Sequence, residues 1–522
     1  MNFVSYRVEY LEKWIVKLAG MGYTALLWEP EDKVRWETCP EVSNHGFTKT
    51  ELTRLLQLSR DLGLENIPLL QTLGHAEYVL KHDEYAHLRE DPDYHDCYCT
   101  TNSAARVFLK TWIDEYVDLF GDIRQFHLGG DEVYRFASCP DCHQVSAEIG
   151  KIALYSEFLQ DVAGNLLENS ITPGIWADVI LTDPRSLNAI SKDFRIWDWN
   201  YWDGTDPPRE TMVWGRGIVS QEELNDTTEN SIPGLFTENG DLRAFHTVPL
   251  LRQKGFHTIL CGSSRSSGDS FFVGQHNLHG PNIIGACRKA IEENLCGVCV
   301  TSWAIRIHPW ETQELWLRMA PIALNHPDWP TEKIEEAAVR ELVDFSGREV
   351  IMILEGIGTT FPFFRLRESG IQYDHLKDTE PPPDDYLTNL VEEWRDTTGL
   401  IPKLLEEVER GRTLLRQASE KLGMLTSQTL SKSTTSGFLR SLTKASELQE
   451  TTSLIADAIL RYEISRGTID GIAAAIAQAS ESMFEWSVTW MNDNYARKIT
   501  TLLFRGVTEY VNQQLSGDMN DE

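Results

Sequence analysis

The chain has 522 residues, 41% of them hydrophobic and 24% charged, with no long low-complexity tract, which excludes an intrinsically disordered protein and exceeds what one ordinary domain needs. Its 48 Lys and Arg stand against 79 Asp and Glu, a net charge of −31, which argues against a general nucleic-acid binder and against an anionic membrane surface as a partner. Of 16 Trp, 13 precede residue 330, so the chemistry is expected in that part of the chain.

The chain opens Met1-Asn-Phe-Val-Ser-Tyr-Arg7 without a basic stretch leading into an apolar one, and it holds no apolar run of membrane-spanning length. A cytoplasmic protein is expected, its nine Cys being reduced thiols. Ser5 reads as the cap of a helix from Tyr6 to Ala19, which leaves room before it only for a very short first strand. Short apolar runs then follow at Thr24–Trp28, Ile67–Gln71, Phe126–Gly129, Pro173–Trp176, Arg195–Asp198, Thr258–Cys261 and Gly297–Thr301. Amphipathic segments such as Lys49–Leu62, Ala104–Phe120 and Ile283–Asn294 separate many of them.

Apolar strands alternating with helices predict an α/β fold with a parallel sheet buried on both faces. One strand more would close a (β/α)8 TIM barrel over residues 1–328, its first strand short or atypical. Beyond Pro330 strand signals fade, and Leu404, Leu405, Val408, Leu415, Leu448, Ile455, Ile459 and Tyr462 mark amphipathic helices. Residues 329–522 are therefore expected to form a helical C-terminal domain, with a rigid connector at Asp378–Asp385, a loop at Thr426–Gly437 and a frayed acidic tail from Gly517. Its apolar faces suit a homodimer contact and equally well packing within one chain.

Each apolar run ends in polar or aromatic residues: Glu29 and Asp32, His75, Asp131 and Glu132, Asp178, Trp199 with Asn200 and Tyr201, Arg265 with Asp269, and Trp303. A core face does not need such residues at the same point of every unit, whereas a shared pocket at the C-terminal ends of barrel strands does. Two close thiol pairs, Cys97-Tyr-Cys99 and Cys139-Pro-Asp-Cys142, are compatible with a structural zinc site of four cysteines, and equally with free loop thiols.

The segment Phe126-His-Leu-Gly-Gly-Asp131-Glu132 carries the sharpest signal. Two adjacent carboxylates leave a buried strand behind a Gly pair that permits close approach of backbone and ligand. Neighbouring carboxylates push their pKa values apart, so one can act as a general acid near neutral pH. Adjacent acids also occur at ordinary helix N-termini, where they pair with the dipole.

His127-Leu-Gly-Gly-Asp131-Glu132 resembles the H-x-G-G-D-E signature of glycoside hydrolase family 20, the β-N-acetylhexosaminidases. Leu27–Asp32, Ile67–Tyr78, His87–Glu90, Trp176–Asp178, Trp197–Tyr201 and Thr301–Trp303 are similar to its hexosaminidase D-like branch and related bacterial exo-β-N-acetylgalactosaminidases. The resemblance covers about residues 10 to 320 and implies an exo-acting, retaining enzyme that removes terminal β-GlcNAc or β-GalNAc from oligosaccharides or glycoconjugates. In that family the substrate's own 2-acetamido group attacks the anomeric carbon. The resemblance thus makes Glu132 the general acid and base and Asp131 the residue orienting the acetamide, with no cofactor required for catalysis.

Trp176, Trp199 and Trp303 would wall one sugar subsite, and Glu29, Asp32, His75, Asp178, Asn200, Arg265 and Asp269 would grip hydroxyls. His75 is as readily a buried histidine bonded to backbone. Two departures stand out. The family's arginine at the first strand has only Arg7 near it, inside the expected helix. Its seventh-strand tyrosine has no counterpart, leaving Tyr201 as substitute with Tyr134 behind it. The competing readings are a catalytically silent carbohydrate-binding barrel and, more weakly, a metal-dependent hydrolase using His75, His127 and Asp131.

Overall fold

A computed structural model describes residues 4–43, 46–224, 232, 234–303, 309–365, 386–430, 437–465, 469 and 471–518. The chain divides into two compact units. The first holds Val8–Gly262 and Asn282–Val300; the second holds residues 4–7, Ser263–Pro281 and the described residues from Thr301 onward.

Each of the seven apolar runs overlaps a strand: β1 (Ala25–Trp28), β2 (Glu65–Pro68), β3 (Gln125–His127), β4 (Thr172–Trp176), β5 (Arg195–Trp199), and, after the short β6 (Glu210–Val213) and β7 (Gly217–Ser220), β8 (His257–Arg265) and β9 (Gly297–Ser302). β1 pairs with β2 in parallel, and a parallel bridge from Leu69 to His127 carries the series on to β3. From there the order is β3-β4-β5-β8-β9, with Phe126 opposite Pro173, Trp176 opposite Trp197 and Trp199 opposite Cys261. β6 and β7 form a separate antiparallel hairpin that the sequence pattern did not announce.

The helices between strands follow from ordinary local chemistry. Thr48 and Glu51 cap Lys49–Asp61 reciprocally, each side chain meeting the other's backbone N–H. In Ser103–Phe120 the Asn102 side chain caps the start, and Gly121, at φ 70°, ends it in a conformation glycine adopts without cost. Ala105, Leu109, Trp112, Ile113, Tyr116 and Phe120 face inward at helical spacing. Trp36 stacks on Tyr116 at 4.1 Å, and Tyr116 meets Phe126 of β3 edge-on at 5.8 Å. Full burial of such side chains stabilises by about 1.5–3 kcal/mol each. This aromatic core lies under β3 and fixes the strand that ends in Asp131 and Glu132.

Among the described residues there are seven parallel strands in the series, with no eighth beside β9. The first helix is Val8–Met21, starting two residues later than its expected cap implied. The segment ahead of it is extended, but Tyr6 bridges Met491 in antiparallel fashion, with Arg7 N–H donating to Trp490 O at 2.8 Å and Asn492 N–H to Ser5 O at 3.0 Å. The Arg7 guanidinium donates to Val488 O and pairs with Asp493. These are contacts within the second unit.

From Thr331 onward the named elements are all helices. Leu400–Leu430 runs through the first part of the expected Thr426–Gly437 loop, the next helix starts at Gly437, and residues 431–436 lie outside the description. The connector at 378–385 lies outside it as well. The last helix extends to Asp518, beyond the expected fraying point at Gly517. The second unit also takes in Ser263–Pro281, where Phe271 N–H donates to Phe364 O at 3.1 Å and Ser270 bridges Arg365. No helix among the described residues is long and apolar enough to cross a membrane.

Candidate active site

The C-terminal ends of β1, β2 and β3 share an uncommon backbone feature. Glu31, His75 and Glu132 all have positive φ, at 47°, 50° and 47°. Left-handed non-glycine residues carry strain and collect at sites where a side chain must be aimed. The two glycines ahead of Asp131 make room for the turn. Gly129 has φ 68° and passes so close to Gln71 that a Cβ would overlap its side-chain oxygen, while a Cβ on Gly130 would lie 2.5 Å from the Tyr155 hydroxyl. The Tyr155 hydroxyl donates to Gly130 O, and Gln71 Nε2 donates to Glu29 Oε1 at 2.9 Å.

His75, Asp131 and Glu132 meet there. His75 Nε2 lies 3.3 Å from Asp131 Oδ2 and 3.3 Å from Glu132 Oε2. The Asp131 side chain is 10% exposed, those of His75 and Glu132 27% and 34%, so the cluster opens on its Glu132 side. Burial works against an imidazolium, but Asp131 and then Glu132 outweigh it and raise the His75 pKa well above its ordinary value. Asp178 adds a third carboxylate: its Oδ2 accepts the Glu132 backbone N–H at 2.8 Å and its Oδ1 accepts Trp199 Nε1–H at 3.3 Å. Burial, reinforced by Asp131, pushes the Asp178 carboxyl above the usual range. Three carboxyl groups and one imidazole can thus hold, release and orient protons at a single opening.

His127 is not a ligand-facing residue. It is fully buried between Trp176 at 4.4 Å and Trp197 at 5.1 Å, and its Nδ1 accepts the Gly129 N–H. Burial keeps it neutral. Trp176, 1% exposed, belongs to that inner stack rather than to an open wall. Trp199 instead stacks on Tyr201 at 5.1 Å and meets Trp202 and Trp214 edge-on at 5.8 and 4.5 Å. Trp202 and Trp214 were missed in the sequence, although Trp202 directly follows Tyr201. Trp214 sits in the turn of the β6–β7 hairpin.

Other predicted residues hold internal positions. Asn200 makes a turn: its Oδ1 accepts from Asp203 N–H at 2.9 Å and its Nδ2 donates to Asp203 Oδ2 at 2.7 Å. Asp32 pairs with Lys33. Burial pushes its carboxyl up, but Lys33 and Lys81 outweigh this and hold it below the ordinary value. Tyr134 is 77% exposed.

Arg265, Asp269 and Trp303 belong to the second unit. Arg265 and Asp269 are fully buried, 3.7 Å apart, and Arg265 donates to Ser270 O at 2.7 Å. Asp269 accepts from Ser266 N–H, Gln275 N–H and His279 Nε2 at 3.0, 3.0 and 2.9 Å. Trp303 N–H donates to Arg265 O at 3.2 Å.

Of the four predicted zinc thiols, Cys99, Cys139 and Cys142 converge, and the fourth ligand atom within 4.8 Å of them belongs to Glu90. Cys97 is not among these converging four, its thiol lying 3.4 Å from Tyr98 O. The sequence expectation of a four-cysteine set is corrected accordingly.

Residues 18–220 match the family described as "Glycosyl hydrolase family 20, catalytic domain". The chain is 30% identical over 227 residues to hexosaminidase D of Homo sapiens, covering 41% of this chain and 45% of that protein. To hexosaminidase D of Bos taurus it is 28% identical over 203 residues, covering 38% and 59%. The chain thus spans about half the length of the curated relatives it matches. Among solved structures, the Flavobacterium johnsoniae chitobiase overlays at a TM-score of 0.46 and 15% identity over 95% of this chain and 76% of that one, too loosely to carry positions across. The matched residues 18–220 include His75, Asp131, Glu132, Asp178 and Trp199.

Proposed function

We propose that the protein is an exo-acting, retaining β-N-acetylhexosaminidase that removes terminal β-GlcNAc or β-GalNAc by substrate-assisted catalysis. The observation that carries this reading is the opening lined by Asp131 and Glu132, both 3.3 Å from His75, on the family's own signature segment. In the first step the acetamido oxygen bonds to the anomeric carbon as the glycosidic C–O bond breaks, and Glu132 delivers its proton to the leaving oxygen. Asp131 accepts a hydrogen bond from the acetamido N–H and stabilises positive charge on the oxazolinium ring. In the second step the Glu132 carboxylate takes a proton from water, which opens the ring from the opposite face.

What supports these roles is the difference in environment. Glu132 is the more open carboxylate and Asp131 the more enclosed, which suits proton exchange and ligand orientation respectively. The 3.3 Å contacts of His75 are longer than the 2.7–2.9 Å of a committed charge-assisted hydrogen bond, so either carboxylate can be recruited by a ligand. No metal or organic cofactor enters the scheme. On this reading the seven parallel strands are the bulk of a (β/α)8 barrel, whose chemistry stands at the C-terminal strand ends. Trp199, with Tyr201 and Trp214 about it, is the aromatic surface offered to the sugar.

The test is hydrolysis of p-nitrophenyl β-GlcNAc and β-GalNAc, with product configuration followed by NMR and inhibition by a thiazoline that mimics the oxazoline. Release of the β-anomer first, thiazoline inhibition and a chemical step slowed at least 100-fold in Asp131→Asn are expected. Turnover of neither sugar would favour a silent carbohydrate-binding protein, and an unchanged kcat in Asp131→Asn would remove substrate assistance.

A further inference from the structure

Glu90 and Cys99 lie on the connection following β2, and Cys139 and Cys142 on the one following β3, at the start of the helix Pro140–Ile149. Their ligand atoms lie within 4.8 Å of one another. Cys99 Sγ is 3.8 Å from Cys139 Sγ and 3.6 Å from Cys142 Sγ. A tetrahedral zinc with Zn–S bonds of about 2.3 Å requires S···S edges of about 3.8 Å, whereas a disulfide would bring two sulfurs to about 2.0 Å. Glu90 is 2% exposed. Its Oε1 accepts the Ser138 and Cys139 N–H groups at 2.8 and 2.9 Å, while its buried Oε2 has no donor in reach other than the cluster's own thiols.

The surroundings suit thiolates. Cys142 Sγ lies 3.2 Å from the Thr100 hydroxyl and 3.2 Å from the Thr101 hydroxyl, and Cys139 Sγ accepts the Cys142 N–H at 3.4 Å. Cys139 also caps the helix Pro140–Ile149, so its sulfur stands at the positive end of the helix dipole. Hydroxyl and amide donors around sulfur are the usual outer support of a metal-bound thiolate.

We propose that these four residues hold a structural Zn²⁺, through three thiolates and one carboxylate, in a site that clamps the His75 loop to the Glu132 loop. Four protein ligands leave no open position, so the ion takes no part in chemistry. Its mechanical reach is short. Cys99 N–H bonds to Leu88 O, Tyr98 N–H to Leu73 O and Ala76 N–H to Asp96 O, so the strip next to the metal flanks His75 on both sides. On the other loop Cys139 lies seven residues after Glu132, with Ala137 between them in a left-handed turn at φ 60°. Arg135 ties to Asp96 at 3.1 Å in the same gap. The positioning half of the proposal rests on the hexosaminidase reading above; the metal half does not.

Metal analysis of the full chain purified without chelator tests the assignment, since it makes no reference to hydrolysis. About one zinc per chain is expected, with an X-ray absorption shell of three sulfurs near 2.3 Å and one oxygen near 2.0 Å. Cys97→Ser should retain the zinc, while Glu90→Gln and Cys142→Ser should bind it at least tenfold more weakly. If those two variants do not fold, the wild type still decides: Co²⁺ loaded in place of zinc should give the intense visible bands of a tetrahedral thiolate site. Less than about a tenth of an equivalent in wild type, both as purified and after incubation with zinc, would overturn the proposal. So would a four-sulfur shell, or loss of the metal in Cys97→Ser. A chain that binds one zinc yet hydrolyses neither sugar would support the site while rejecting the function.

Discussion

The His75 cluster of the first unit and the His279 cluster of the second both join histidine to carboxylate, and they differ in what surrounds them. In the second unit Arg265, Asp269 and His279 have no solvent exposure, and Asp269 spends its oxygens on His279 and two backbone N–H groups. In the first unit His75 and Glu132 are partly open, sit on left-handed backbone and share contacts of 3.3 Å rather than committed bonds. Residue types are nearly the same. The carboxylate and imidazole of the sealed cluster have their bonds made by the fold, whereas those of the open one keep only longer contacts that a ligand can replace. That difference separates a structural network from a site of chemistry.

Exchanging single groups in each cluster sharpens the contrast. The largest effect is expected for Glu132→Gln, which should cut kcat/KM on a p-nitrophenyl hexosaminide by about 10³-fold while leaving Tm nearly unchanged. A variant that kept its rate would remove Glu132 from the acid role. Asp269→Asn should do the reverse. Leaving Arg265 buried without its counter-charge costs about 3–5 kcal/mol, read as a fall in Tm on the order of 10 °C, with kcat/KM of the folded fraction within about threefold of wild type. A 100-fold loss of rate at unchanged Tm would move Asp269 into the sugar site and break the comparison.

The smallest effect concerns pH. The His75 pKa is raised in the folded state, so its charge contributes stability fully below the unfolded value of about 6.5, and that contribution disappears as pH rises through the folded pKa. His75→Gln should therefore lower Tm by about 2–4 °C at pH 6 and progressively less in alkaline buffer. A Tm gap that widened with pH would show that His75 is neutral in its cluster.

The strands were legible in the sequence because a strand covered on both faces must be apolar throughout, as in Thr258–Cys261, and such runs are visible without partners. The β6–β7 hairpin was not: Met212 and Val213 are two apolar residues against Ile218 and Val219, too short a pattern to register. Asp131 and Glu132 were legible through their motif, and Asp178 and His75 through their place at strand ends. The left-handed turns at Glu31, His75 and Glu132 were not, because nothing in an ordinary side chain announces positive φ. Arg265 and Asp269 carried the same signal as the open cluster, since burial depends on contacts that no local pattern records. Glu90 escaped for a related reason. It reaches the thiols through the pairing of Arg89 with Tyr98, a register set by the fold, while Cys97 stood beside Cys99 in the sequence.

The bridge between Tyr6 and Met491 bears on how the chain is made. Arg7 finds Val488 and Asp493 across separations of 481 and 486 residues. On a ribosome, residues 4–7 emerge long before Val488 and Asp493 and wait for more than 480 residues to be added before their partners exist. Closing so long a loop is slow to nucleate, although its entropic cost grows only logarithmically with length. The second unit therefore completes itself last, after the strand ends that carry Asp131 and Glu132 have left the tunnel. A chain halted anywhere before Trp490 leaves the segment around Tyr6 and Arg7 without these backbone partners, so it stays open to a quality-control protease in every unfinished copy.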